Sequence, residues 1–269
     1  VGADNNLMIN SIPVYVMTAN QTMKAVQAFA YLFNEFWSTK TQVTILGYDM
    51  PDFELPSNFN YISLGIQRGK NYWSDDIKAY FSNECNDELF ILTFEDNLII
   101  DKIDKPLLEY AIEFCTANKD GLLKFNLTAD LQSRGNTVIE SYDQFDLVQA
   151  DQHEIFRLSL NTSIWNKEEF LNKLNPGESM HFFENPAKPN STDDGLGVYG
   201  FGRSYVIKTS EAYRRGTKCE NPYKDCLSNY TLSEDHVKVI EDNNWLPPIG
   251  SADYLQKLQT DQLQYIERK

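Results

Sequence analysis

The sequence is short of basic residues, of cysteine and of histidine, and it has no long apolar run. Lysine and arginine number 24 against 39 acidic residues, leaving a formal charge of −15. That deficit argues against nonspecific nucleic-acid binding, whose affinity comes from cations neutralising phosphates. It argues equally against docking on anionic lipid by charge alone. It also sets a requirement: an acidic chain that handles a phosphorylated ligand needs a local cation. No stretch approaches the length of an apolar membrane span, so no transmembrane segment is expected. The start, VGADNNLMINSIP, has neither a basic region nor an apolar one, so no signal peptide is expected. The 4 cysteines form no CxxC pair, and the 3 histidines, His153, His181 and His236, show no ligand spacing. Cys85 and Cys115 read as buried thiols, Cys219 and Cys226 are close enough in sequence to pair, and a reduced cytoplasmic protein is expected.

What is present is an ordinary globular composition, 42% apolar and 23% charged, which excludes disorder. The 269 residues suit one large domain or two small ones, with a core that needs no disulfide or metal. Ile12 to Met17 is a short β-branched run. Met23, Val26, Phe29, Ala30, Phe33, Phe36 and Trp37 then recur at helical spacing, with Asn20 placed to cap that helix. Strands are predicted at Val43–Leu46 and Tyr61–Leu64, and a helix opening at Ser74 with Asp75 and Asp76 in its first turn. Leu89 to Phe94 is a continuous apolar run, short enough to be a strand buried on both faces. Asp104 and Pro106 start a further helix, and Leu122–Phe125 forms another strand.

This alternation predicts an α/β fold, a mostly parallel sheet flanked by helices. Ligands in such sheets sit beyond the carboxyl ends of the strands. Thr18 to Asn20, Asp49 and Glu95-Asp96-Asn97 occupy those places. The second half is less regular. Glu154–Leu160 (EIFRLSL) alternates as a half-buried strand, and Asn166 caps a short helix closed by Pro176-Gly177. A Gly-rich stretch, 195–202, enters a strand but lacks the strand–loop–helix setting of a nucleotide fingerprint. Helical segments are predicted around Glu234–Glu241 and Tyr254–Ile266.

The sharpest local signal is FILTFEDNLII, an apolar strand that ends in two carboxylates. It reads either as a solvated turn or as a site for Mn2+ or Mg2+, which take one or two carboxylates plus phosphate oxygens. Such an ion is the cation the acidic chain needs. An apolar strand ending in a short acidic motif resembles the DxD-type motif of GT-A glycosyltransferases, varied here as Glu95-Asp96-Asn97. Two more segments sharpen the likeness. NYWSDDIKAYF resembles the WSD-plus-helix segment of bacterial and phage sugar transferases of surface polysaccharide pathways. RLSLNTSIWNKEEFLNKLNPGESMHFFE resembles their later block, an IW, a short helix, a Pro-Gly-Glu turn and a closing Glu. The order is kept over residues 12–185.

That resemblance implies a GT-A-like, Rossmann-like catalytic domain over 1–218, with a nucleotide-sugar half at 1–126 and an acceptor half at 127–218. A small C-terminal helical extension follows at 219–269. It implies a metal ion on Asp96 and, more weakly, Asn97, with Glu95 beside it. Thr18, Asn20, Asp49, Trp73, Ser74 and Arg215 would face the nucleoside diphosphate. Each of these also has a plain structural reading: cap, loop residue, core plug or surface cation. Glu184 would be the catalytic base. The implied reaction is transfer from a nucleoside diphosphate sugar, a UDP-sugar, to a glycan or lipid-linked sugar acceptor, with inversion. Two rivals differ in class. A sugar-nucleotide nucleotidyltransferase would carry a Gly-rich loop after the first strand, where this chain has TANQTMK. A degenerate domain that only binds glycan or nucleotide would show no metal-dependent turnover.

Overall fold

The computed structural model describes residues 12–185, 191–214, 217–225 and 229–249. In chain order the first elements are β1 (Val14–Met17), α1 (Ala25–Phe36), β2 (Val43–Gly47) and β3 (Phe59–Ser63). They are followed by α2 (Trp73–Asn83), β4 (Leu89–Phe94), β5 (Asn97–Ile99), α3 (Lys105–Ala117) and β6 (Leu122–Asn126). Next come β7 (Asn136–Ser141), β8 (Asp146–Ala150), β9 (Ser163–Asn166), α4 (Lys167–Lys173), α5 (Met180–Phe183) and β10 (Gly197–Phe201). The described chain closes with β11 (Thr209–Glu211), β12 (Tyr213–Arg214), β13 (Thr217–Lys218) and α6 (Glu234–Asp242). The segment predicted as a tail helix at Tyr254–Ile266 lies outside the described residues, as do Arg215 and Cys226.

The chain divides into two compact units. The first comprises Val1–Val14, Lys70–Thr93 and Asp104–Ile207. Its strands run in the order β4-β9-β6-β10-β8-β7. Strands β4, β6, β7 and β10 point one way, whereas β8 and β9 oppose their neighbours. Every residue of β4 and of β6 is buried, because helices cover both faces there. Helix α3 packs on β6, and α4 packs on β6 and β9. The core is aromatic: Phe81 stacks on Phe90 at 4.3 Å between centroids, and Phe170 meets Phe90, Trp165 and Phe183 edge-on.

The second unit comprises Tyr15–Gly69, Phe94–Ile103 and Lys208–Lys269. Its strands run β3-β2-β1, with β2 and β3 parallel over their full length. Strand β5 pairs antiparallel with β11, and α1 packs over β5. Helix α1 buries Val26, Phe29, Ala30, Leu32 and Phe33, the face that the sequence periodicity marks.

Helix starts follow local chemistry where a short polar side chain precedes the first turn. Asp104 accepts from Leu107 N at 3.0 Å with Pro106 in the first turn, and Asn166 Oδ1 accepts from Glu169 N at 3.3 Å. Three expectations need correcting. Asn20 does not cap α1, whose N-cap is Lys24. Ser74 does not cap α2, which starts one residue earlier behind Tyr72. Glu154–Leu160 is a run of turns, not a strand: Arg157 turns inward to an ion pair with Asp194, 2.7 Å away, and its backbone never joins the ladder.

Candidate active site

The second unit gathers the residues after β1, β2 and β4. Thr18 follows β1 and is buried, its N–H donating to Leu46 O at 2.9 Å. Asn20 Nδ2 donates to Asp49 Oδ2 at 2.7 Å, and Asp49 N donates back to Asn20 Oδ1 at 3.0 Å. Asn20 N also donates to Gln67 Oε1 at 2.9 Å. The Tyr61 hydroxyl donates to Asp49 O at 2.5 Å. Gly47 makes room for that ring, since a Cβ there would lie 2.3 Å from the hydroxyl and 2.8 Å from Thr18 Cγ2. Thr18, Asn20 and Asp49 thus share one rim, and Tyr61, which no local sequence signal marks, buttresses it.

Glu95 and Asp96 form the turn between β4 and β5. Glu95 is buried, with its N–H on Met17 O at 3.2 Å. Burial, and then the charge of Asp96, push its carboxyl well above the usual range, while hydrogen bonds from Thr22, its own backbone and Thr18 pull it back. Asp96 is half-buried, and its carbonyl accepts from Ala212 N at 2.8 Å. Asn97 opens β5 opposite Glu211. The Tyr213 hydroxyl is raised by burial and by the charges of Glu95 and Asp96, and it donates to Pro247 O at 2.8 Å.

This pair fits a divalent ion in its donor chemistry. Two adjacent carboxylates, one of them raised first by burial and then by its neighbour's charge, supply the hard oxygen donors that such an ion takes. No group of three or more carboxylate, histidine or cysteine ligands occurs among the described residues. Magnesium and manganese characteristically complete their shell with water and phosphate oxygens. Arg214 pairs loosely with Glu211 at 3.7 Å, and Lys218 Nζ donates to Leu246 O at 2.7 Å.

The first unit carries Trp73, Ser74 and Glu184. Trp73 is only 5% exposed, and its ring meets Phe183 edge-on at 5.5 Å. Its indole N–H is buried without a hydrogen-bond partner among the described residues. Ser74 N donates to Glu178 O at 3.1 Å, Glu178 N donates to Ser74 Oγ at 2.9 Å, and Gly177 N donates to Asp75 Oδ2 at 2.9 Å. Ser74 and Asp75 therefore grip the Pro-Gly-Glu turn more than a hundred residues later in the chain, and that turn leads into α5. Ser179 caps α5, accepting from Phe182 N at 3.2 Å, and Glu184 sits at its end.

Glu184 Oε1 accepts from Leu160 N at 2.6 Å. Burial raises its carboxyl pKa, and that hydrogen bond, Lys124 and His181 oppose the rise. Lys124, unremarked in the sequence reading, is fully buried on β6. A charged residue inside the apolar run LLKFN was the signal available.

No protein-family model matches the sequence, and no curated protein matches it. Many solved structures overlap with it in part. S. aureus TarS 1-349 is 13% identical with a TM-score of 0.44, over 73% of this chain and 59% of that one. UDP-glucose pyrophosphorylase complexed with UDP-glucose is 8% identical with a TM-score of 0.38, over 74% of this chain and 92% of that one.

Proposed function

We propose that this chain transfers a sugar from a nucleoside diphosphate, a UDP-sugar, to a hydroxyl of a glycan or lipid-linked acceptor, inverting the anomeric carbon. The observation that carries the proposal is the Glu95–Asp96 turn, where burial and then the neighbouring Asp96 disfavour the Glu95 carboxylate in an acidic chain. A Mn2+ or Mg2+ ion bound at Asp96, with Asn97 beside it, would neutralise charge on a departing diphosphate. Glu95 is buried within that turn, hydrogen-bonded by Thr22 and Thr18. Asn20 and Asp49, clasped together after β1 and β2, offer polar groups to a nucleoside, with Thr18 behind them.

Glu184 supplies the base. Its carboxylate takes the proton of the acceptor hydroxyl as the acceptor oxygen bonds to the anomeric carbon. The bond from that carbon to the diphosphate breaks, and the diphosphate leaves with the electron pair. A carboxyl raised by partial burial suits that role near neutral pH.

The test is a thermal-shift titration with UDP, with manganese or with EDTA. A ligand that binds only the folded chain raises its apparent stability. UDP is expected to stabilise the wild type far more with manganese, and Asp96→Ala to remove that difference. Equal stabilisation of the variant would leave the acidic turn a solvated loop.

A further inference from the structure

One peptide group in the first unit has a charged side chain at each end. Lys124 Nζ donates to Ser159 O at 2.5 Å and to Ser159 Oγ at 3.1 Å. The same peptide continues into Leu160 N, which donates to Glu184 Oε1 at 2.6 Å. A cation on the carbonyl end of a peptide polarises it and strengthens donation from its N–H. We infer that Lys124 is a positioning residue that sets the proton affinity of Glu184 through the 159–160 peptide, so that the base is tuned by a buried amine it does not touch. This rests on the reading of Glu184 as the base.

The surroundings are built for it. Lys124 is fully buried, with Nζ 4.9 Å from the centre of the Trp165 ring. Ser159 Oγ donates to Asp130 Oδ2 at 2.9 Å, and Arg134 Nη2 donates to Asp130 Oδ1 at 2.6 Å. The charges that bear on the amine are Asp130 and Glu184, which favour its cation, and Arg134 and Arg157, which disfavour it. Those that bear on Glu184 are Lys124, His181 and Asp130. Burial brings the amine down to about 7, so the cation at the far end of the peptide comes and goes near neutral pH. Arg134 and Arg157 are otherwise engaged, by Asp130 and by Asp194. Lys124 alone of the three bonds to the peptide that holds Glu184.

The experiment is a carbon-13 titration of the glutamate carboxyls in the full chain, with the Glu184 signal assigned from Glu184→Gln. In Lys124→Met the proton affinity of Glu184 should rise roughly tenfold, one unit in its midpoint. The acid limb of the turnover profile should move up with it. An unmoved Glu184 midpoint in a folded Lys124→Met chain overturns the inference. If that variant does not fold, the wild type decides: its Glu184 signal must show a second inflection at the Lys124 midpoint, and a single inflection overturns it. Full turnover in Glu184→Gln would end the reading of Glu184 as base, while the coupling between the two midpoints would still stand or fall by the titration.

Discussion

Ser74 and Glu178 hold each other twice, backbone N–H to carbonyl at 3.1 Å and backbone N–H to hydroxyl at 2.9 Å. Both residues are buried, so the hydroxyl is the partner of an amide with no water to replace it. Ser74→Ala should cost about 1–3 kcal/mol of stability, the penalty of an orphaned buried donor. Turnover should fall as α5 shifts, with UDP affinity unchanged. Urea denaturation and UDP titration check this; weakened UDP binding at unchanged stability would place Ser74 against the nucleotide instead.

Asn20 and Asp49 make the reciprocal pair of the second unit, on its exposed rim. Asn20→Ala removes both bonds. Exposed hydrogen bonds contribute modestly, so stability should change by only about 1 kcal/mol. UDP affinity measured by calorimetry should drop about tenfold, the loss of about 1.4 kcal/mol of binding. Unaltered affinity would leave the pair as a loop clasp.

Glu184→Gln keeps the side-chain shape and removes the base. Turnover should fall by about 10²–10⁴-fold, the usual size of general-base catalysis, with UDP stabilisation intact. Proton NMR of the fresh product should show the inverted anomer. Near-normal turnover, or retained configuration, contradicts the assignment.

Stability should depend on pH through Lys124. Its amine is lowered from the ordinary 10.5 to about 7 by burial, with Asp130 and Glu184 pulling it partly back. Below about pH 7 both folded and unfolded chains hold this proton, and the burial penalty is full. Above it the unfolded chain binds a proton that the folded chain has released, so this residue's contribution to stability rises with pH, by at most about 1.4 kcal/mol per unit. Unfolding free energies of wild type and Lys124→Met, compared between about pH 7 and about pH 9, should diverge in favour of the wild type. Parallel curves would mean the amine keeps its proton in the fold.

Elements with strong local signals were legible in the sequence. Leu89–Phe94 is the strand its unbroken apolar run predicts, and Asn166 caps α4 as its spacing to Glu169 predicts. What stayed hidden depends on partners far along the chain. EIFRLSL alternates like a strand because Leu158 and Leu160 are buried, yet Arg157 is buried too, by a carboxylate at position 194. Asn20 looks like a cap until Asp49 takes both ends of its amide. The turn at Glu95-Asp96 was legible as the end of a buried strand because burial is written in the residues before it. A lysine inside the apolar run LLKFN marks Lys124 as unusual, but what it does depends on the peptide it touches, which leads to Glu184.

Gly47 ties the history of two positions together. The Tyr61 hydroxyl occupies the space where any side chain at 47 would begin, with Thr18 closing the other side. Among descendants of this sequence, alanine at 47 requires the tyrosine to swing away or be lost, and with it the bond to Asp49 O. The tyrosine can hold its present place only over a glycine. The rim after β1 and β2 is therefore inherited as a set, and its members should be found to vary in concert or not at all.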